Sequence, residues 1–143
     1  MKSFFSFLSN QLNLGETFYH PDKRIPGNWI LYEYYTEPGN KLIHVNKASL
    51  ETENRFMRIE FSAEGNFYAE TNINAPSFLS GSTNLKWTRK RNYILLYEAG
   101  FPDEKIELQF AFQKKALRLL NKDTTGRIQF FGFFNKPEAL KKK

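Results

Sequence analysis

Cysteine is absent from this chain of 143 residues. Its absence excludes disulfides, a thiolate nucleophile and any zinc site built on thiolates. It leaves the redox compartment open, because such a chain folds equally well inside or outside a cell. Histidine is scarce: His20 and His44 are the two, and their spacing makes no metal pair. No apolar run approaches the roughly 18 residues that a membrane-crossing helix requires. A phosphate-cradling glycine-rich loop is missing, and Ser80-Gly81-Ser82 makes no nucleophile elbow. Carboxylates alternate with apolar residues, as on a solvated strand face, and Asp103-Glu104 has no third group beside it. These absences argue against an enzyme, and no cofactor and no metal are expected.

The first fifteen residues, MKSFFSFLSNQLNLG, hold a short apolar stretch that Ser9, Asn10 and Gln11 interrupt. A secretory leader needs about 7–15 uninterrupted apolar residues and a small-residue cleavage site. The spacing of Phe4, Phe5, Leu8 and Leu12 instead predicts an amphipathic helix over 1–15, ended by Gly15 and retained. The expected compartment is therefore the cytoplasm rather than the exterior. Residues 16–27, with Pro21, Pro26 and Gly27, read as a connector.

What the chain does have is aromatic residues, 17% of the total with 15 Phe, 7 Tyr and 2 Trp. Aromatic side chains favour pleated, half-buried surfaces. From residue 28 the apolar pattern has period two, in eight runs at about 28–36, 56–62, 66–73, 82–88, 92–98, 104–112, 115–121 and 127–134. Turn chemistry separates most of them, as in Ala63-Glu64-Gly65-Asn66 and Asp123-Thr124-Thr125-Gly126. Eight sequential strands with short connections predict an all-β fold, an eight-stranded antiparallel up-and-down β-barrel over 28–136. It would be one domain, with the N-terminal helix closing one end and a basic tail at 137–143. Pairing of the last strand with the first removes both raw edges. Such a barrel is just wide enough for packed side chains or one small ligand.

At the start of the first strand, Gly27-Asn28-Trp29 resembles the Gly-x-Trp signature of the lipocalin and fatty-acid-binding (calycin) barrels. The order IEFSAEGNF, NLKWTRKRNYILL and a final strand is similar to small bacterial lipocalin-like proteins, and the resemblance covers about 20–136. It implies that Trp29 lies across the closed end, that Gly27 lets the chain turn in beneath it, and that residues 37–55 form a lid at the open mouth. It also implies a small hydrophobic ligand of fatty-acid, pigment or isoprenoid type. Two features depart from the family. Its basic residue on the Trp is usually an Arg late in the last strand, whereas Arg127 opens that strand at the mouth and Lys136 stands at the closed end. No long helix follows the last strand. The family includes isomerases and lyases, which keeps an enzymatic alternative in view.

Alternation assigns the inward face. If Trp29 points in, so do Leu31, Glu33 and Tyr35. Met57, Ile59 and Phe61 follow, then Phe67, Ala69, Thr71 and Ile73, Leu85 and Trp87, Ile106, Leu108, Phe110 and Phe112, Leu117 and Leu119, and Ile128, Phe130 and Phe134. The candidate ligand contacts are Leu31, Glu33, Tyr35, Met57, Ile59, Phe67, Ala69, Thr71, Leu85, Trp87, Leu108, Phe110, Leu119 and Phe130. Ala69, Thr71 and Gly132 are the small residues that would leave room. A buried Glu33 must be hydrogen-bonded, paired or neutralised; it would orient a polar ligand group or pair with an Arg. The same residues would equally fill a solid barrel that acts through its surface.

The net charge of +6 is unevenly spread by this topology. Arg89, Lys90, Arg91, Lys114, Lys115, Lys136 and Lys141–Lys143 fall at the closed end, and Glu37, Glu51, Glu53, Asp103 and Asp123 fall at the mouth, diluted by Lys41, Lys47 and Lys122. A basic closed end suits weak contact with an anionic membrane surface or an acidic partner. The stretch Lys86-Trp87-Thr88-Arg89-Lys90-Arg91-Asn92-Tyr93 interleaves bases with aromatics, as single-strand binders do. Trp87 is assigned to the inner face, however, so no specific nucleic acid is expected. Outward Tyr32, Tyr34, Phe131 and Phe133 would adjoin across the closing seam, which fits a homodimer, against a monomeric carrier.

Overall fold

The computed structural model describes residues 23–137 except 75, 77–78 and 80–83, with backbone alone at 102 and 103. The expected N-terminal helix, most of the connector and the tail beyond 137 lie outside the described residues. Nine strands and a short helix order the rest: β1 (Gly27–Thr36), β2 (Ile43–Val45), α1 (Lys47–Thr52), β3 (Met57–Phe61), β4 (Asn66–Thr71), β5 (Leu85–Lys90), β6 (Tyr93–Glu98), β7 (Phe101–Gln113), β8 (Ala116–Lys122) and β9 (Ile128–Asn135). Strands β3 to β9 pair with their sequence neighbours in antiparallel order, and β1 pairs with both β3 and β9. An eight-stranded antiparallel barrel results, sealed where Leu31 faces Phe134 and Tyr35 faces Phe131. No helix among the described residues is long and apolar enough to cross a membrane.

The extra strand β2 lies outside the barrel proper. β1 gives β3 its first residues, Gly27–Ile30, and gives β2 its last, Tyr34–Thr36. Both lie on the edge of β1 opposite β9, so β2 continues that edge where β3 departs. The stretch 37–55, expected to form a lid, thus carries a strand and a helix. Asn46 caps α1 by accepting from the Ser49 N–H at 2.9 Å, as Asn at an N-cap does. The helix then drops Leu50 into the core.

Three irregularities shift the alternation. In β1 the pairing with β9 slips between Leu31 and Glu33. A bulge adds one residue and reverses the facing of everything after it. Trp29 and Leu31 therefore point inward as expected, but Tyr34 takes the next inward place. The expected inward placement of Glu33 and Tyr35, and the outward placement of Tyr34, are corrected accordingly. A second slip lies between Leu96 and Glu98. A third lies between Asn121 and Lys122 and moves Ile128 from the expected interior into an outer cluster.

The core is one cluster from all eight barrel strands, with Ile25, Ile73, Leu79 and α1's Leu50 added from outside them. Trp29, Phe61, Phe130 and Phe134 are its largest fully buried side chains. A second cluster lies on the outer face of β7, β8 and β9: Ala111, Leu120, Ile128, Phe131 and Phe133, with Tyr32 and Tyr35 packed on it. The run Ile128-Gln129-Phe130-Phe131-Gly132-Phe133-Phe134 is apolar on both faces because both faces of β9 are buried.

Candidate functional site

The closed end is built around Trp29. Gly27 sits at φ +134°, a backbone conformation that side-chain-bearing residues rarely adopt. The chain turns there, and the indole that follows is 1% exposed, with its N–H donating to the Ile25 carbonyl at 2.9 Å. Phe112 tilts against the indole at 6.0 Å between ring centroids. Two cations cover these rings from the solvent side. Lys136 Nζ lies 5.1 Å from the Trp29 ring centroid, and Arg24 Cζ lies 4.1 Å from that of Phe112. A lysine therefore stands over the indole here, and Arg127 is at the mouth, where its guanidinium donates to Asn40 Oδ1 at 2.8 Å.

The other candidate contacts divide into three groups. Leu31, Met57, Ile59, Phe67, Leu85, Leu108, Phe110, Leu119 and Phe130 are buried in the interior cluster, with Ala69 and Trp87 packed against it. Trp87 lies edge-on to Phe61 at 5.4 Å and donates its indole N–H to the Ser62 carbonyl at 2.8 Å. Thr71 is occupied by backbone: its hydroxyl donates to the Phe56 carbonyl at 2.8 Å and accepts from the Ile73 N–H at 3.0 Å. Glu33 and Tyr35 are outside. Glu33 Oε2 meets His44 Nε2 of β2 at 2.7 Å, and the imidazole stacks on Tyr35 at 4.3 Å with 12° between planes. These two residues fasten β2 to the barrel rather than line it.

The space expected at Gly132 is filled. A Cβ built there would lie 2.5 Å from Phe130 Cε2 and 2.8 Å from Phe134 Cε1. The two phenyl rings fold over the glycine from either side, and Tyr34 stacks on Phe130 at 5.5 Å. Met57, Ile59, Phe67, Leu108, Phe110, Leu119 and Phe130 are between 0 and 2% exposed, Leu31 and Leu85 are 5% and 6% exposed, and Ala69, Thr71 and Trp87 are half-buried.

Concave surfaces occur on the outside. One groove of about 550 Å³ runs over β6, β7 and β8, lined by Tyr93, Gln109, Leu120 and Lys122 among others. Another of about 610 Å³ lies at the closed end, between Tyr32 and Asn135 and the β7–β8 hairpin residues Gln113, Lys114, Lys115 and Ala116. Burial pushes the Tyr32 phenol above its ordinary value, and the Glu33 charge adds to this while Arg118 opposes it. Burial likewise lowers Arg118, whose guanidinium lies 5.0 Å over the Phe133 ring. No group of three or more metal-ligating side chains occurs among the described residues.

The closed-end turns hold the expected basic residues. Arg91-Asn92 and Lys114-Lys115 are two-residue hairpin turns, and Lys90, Arg91, Lys114 and Lys115 are all exposed. Arg89 bends back to donate to the Arg91 carbonyl at 2.7 Å. Three features went unread in the sequence: the seating of Leu50, the packing of Ile25 and Leu79 into the core, and the stacking of Lys136 on Trp29. The last had a signal, since Lys136 was already placed at the correct end.

No protein-family model matches this chain, and no curated protein or solved structure matches it either.

Proposed function

We propose that this chain is a lipocalin-like barrel with a filled interior, a scaffold that recognises partners through its outer surface. The observation that carries the reading is the close burial of the central ligand contacts, Met57, Ile59, Phe67, Leu108, Phe110, Leu119 and Phe130, together with Gly132, one of the three small residues expected to leave room, which Phe130 and Phe134 cover. The lipocalin-like assignment is supported by the closed eight-stranded barrel, by Gly27 at its left-handed turn and by a cation over Trp29.

One observation favours a second reading, carriage of a small apolar molecule. The lid formed by β2 and α1 is held by three residue pairs, the His44–Glu33 contact and one buried leucine. Its opening would expose the mouth half of the interior. Native mass spectrometry and displacement of a fluorescent fatty acid separate the two. The filled scaffold retains no lipid mass and binds no probe above background. A stoichiometric lipid adduct from a cell extract would replace this reading with carriage.

A further inference from the structure

We propose that the closed end of the barrel is a docking surface for anionic phospholipid membranes, centred on the β7–β8 hairpin and its groove. The inference rests on the reading of the barrel as a filled scaffold and names the partner of its surface.

Lys90, Arg91, Lys114 and Lys115 project from the two hairpin turns at that end, and none has a carboxylate within ion-pair distance among the described residues. The ion pairs of the described residues, Glu33–His44, Glu53–Arg55 and Glu70–Arg58, involve none of these four cations. The backbone adds an independent argument. Arg91 and Lys114 both sit at φ +57°. The first place of a two-residue turn is where glycine is the least strained choice. Both hairpins instead hold a cation there, at a conformational cost that an exposed turn residue does not need for packing.

The groove beside Lys114 and Lys115 brings two ammonium groups together with the Tyr32 phenol and the amides of Gln113 and Asn135. These are donors suited to a headgroup phosphate. Nucleic acid fits less well, because single-strand binding needs open aromatic platforms. At this end Lys136 covers Trp29, Arg24 covers Phe112 and Trp87 faces Phe61, which leaves Tyr68 as the exposed ring of β4 rather than a row of platforms.

The test is cosedimentation of the full chain with vesicles of phosphatidylcholine alone and of phosphatidylcholine with phosphatidylserine, across a salt series. Binding to the phosphatidylserine vesicles alone, weakening steeply with salt, is expected. The variants Arg91→Gly and Lys114→Gly remove charge while relieving the left-handed backbone, so they keep or raise the melting temperature. Each should weaken vesicle binding about fivefold. Equal binding to both vesicle types, unchanged binding by the folded double variant, or tighter binding of a single-stranded oligonucleotide that displaces the vesicles overturns the proposal. A lipid adduct in native spectra with normal vesicle binding would sink the filled-barrel reading and leave the docking surface standing.

Discussion

A methyl group at position 132 would lie 2.5 Å from one phenyl ring and 2.8 Å from another. Neither ring has open space to retreat into, since Phe130 is 2% and Phe134 0% exposed. Overpacking of a filled core costs about 1–3 kcal/mol. Gly132→Ala should lower stability by that amount in a urea titration; an unchanged midpoint would mean that the rings have slack, and with it a latent cavity. Trp29 tests the closed end in the opposite sense. Trp29→Phe keeps a ring under Lys136 but deletes the hydrogen bond to Ile25, and should cost about 1 kcal/mol for that bond together with a contribution from lost volume. The glycine could be read as small, but its surroundings could not. Whether a small residue leaves a hole depends on the rotamers of its neighbours, and these are set by packing across the barrel.

At the scale of elements, turns and lid carry most of the testable chemistry. The β8–β9 turn is organised by Asp123, whose carboxylate accepts from the Thr125 hydroxyl and N–H and from the Arg127 N–H. The hydroxyl bond, first among these influences, holds its pKa below the ordinary value of 3.8. A carboxyl lowered on folding contributes stability above its unfolded pKa and loses it as pH falls through the folded one. Asp123→Asn should therefore lower the neutral plateau of the melting curve and leave stability in acid, where the wild-type carboxyl is protonated, little changed, so that the limb between them flattens. In the lid, Asn46→Ala removes the cap of α1 at a local cost of about 1 kcal/mol. Hydrogen exchange of residues 47–52 should rise accordingly, while that of β6 and β7 stays unchanged. The lid shows how an element escapes a sequence reading. Six residues of helix have too little periodicity to announce themselves, and α1 persists because Leu50 has a place in the core.

For the whole molecule, closure decides which charges and rings become neighbours. The phenols of Tyr32 and Tyr34 sit on opposite faces of one strand, and burial raises the pKa of both. A phenol raised on folding contributes stability that is present below its unfolded pKa and lost as pH climbs through the folded one. Stability should fall from about pH 10 upward, together with delayed tyrosinate absorbance; Tyr34→Phe should shallow that alkaline limb.

Period-two alternation, the turn residues between runs and the abundance of aromatics determined an antiparallel barrel of eight strands, because strand faces and turn conformations are local properties. Gly27 and Trp29 stood out through a resemblance to the Gly-x-Trp signature, whereas Phe131 and Phe133 read as an outward patch, and only the structure buries both faces of β9. Only the tertiary structure decided that Glu33 and Tyr35 lie outside and Tyr34 inside, since a bulge between Leu31 and Glu33 is fixed by pairing with β9. It also decided that Phe130 and Phe134 close over Gly132. Facing follows from a chain's neighbours along the strand, whereas filling follows from residues that meet only after the last strand has paired with the first.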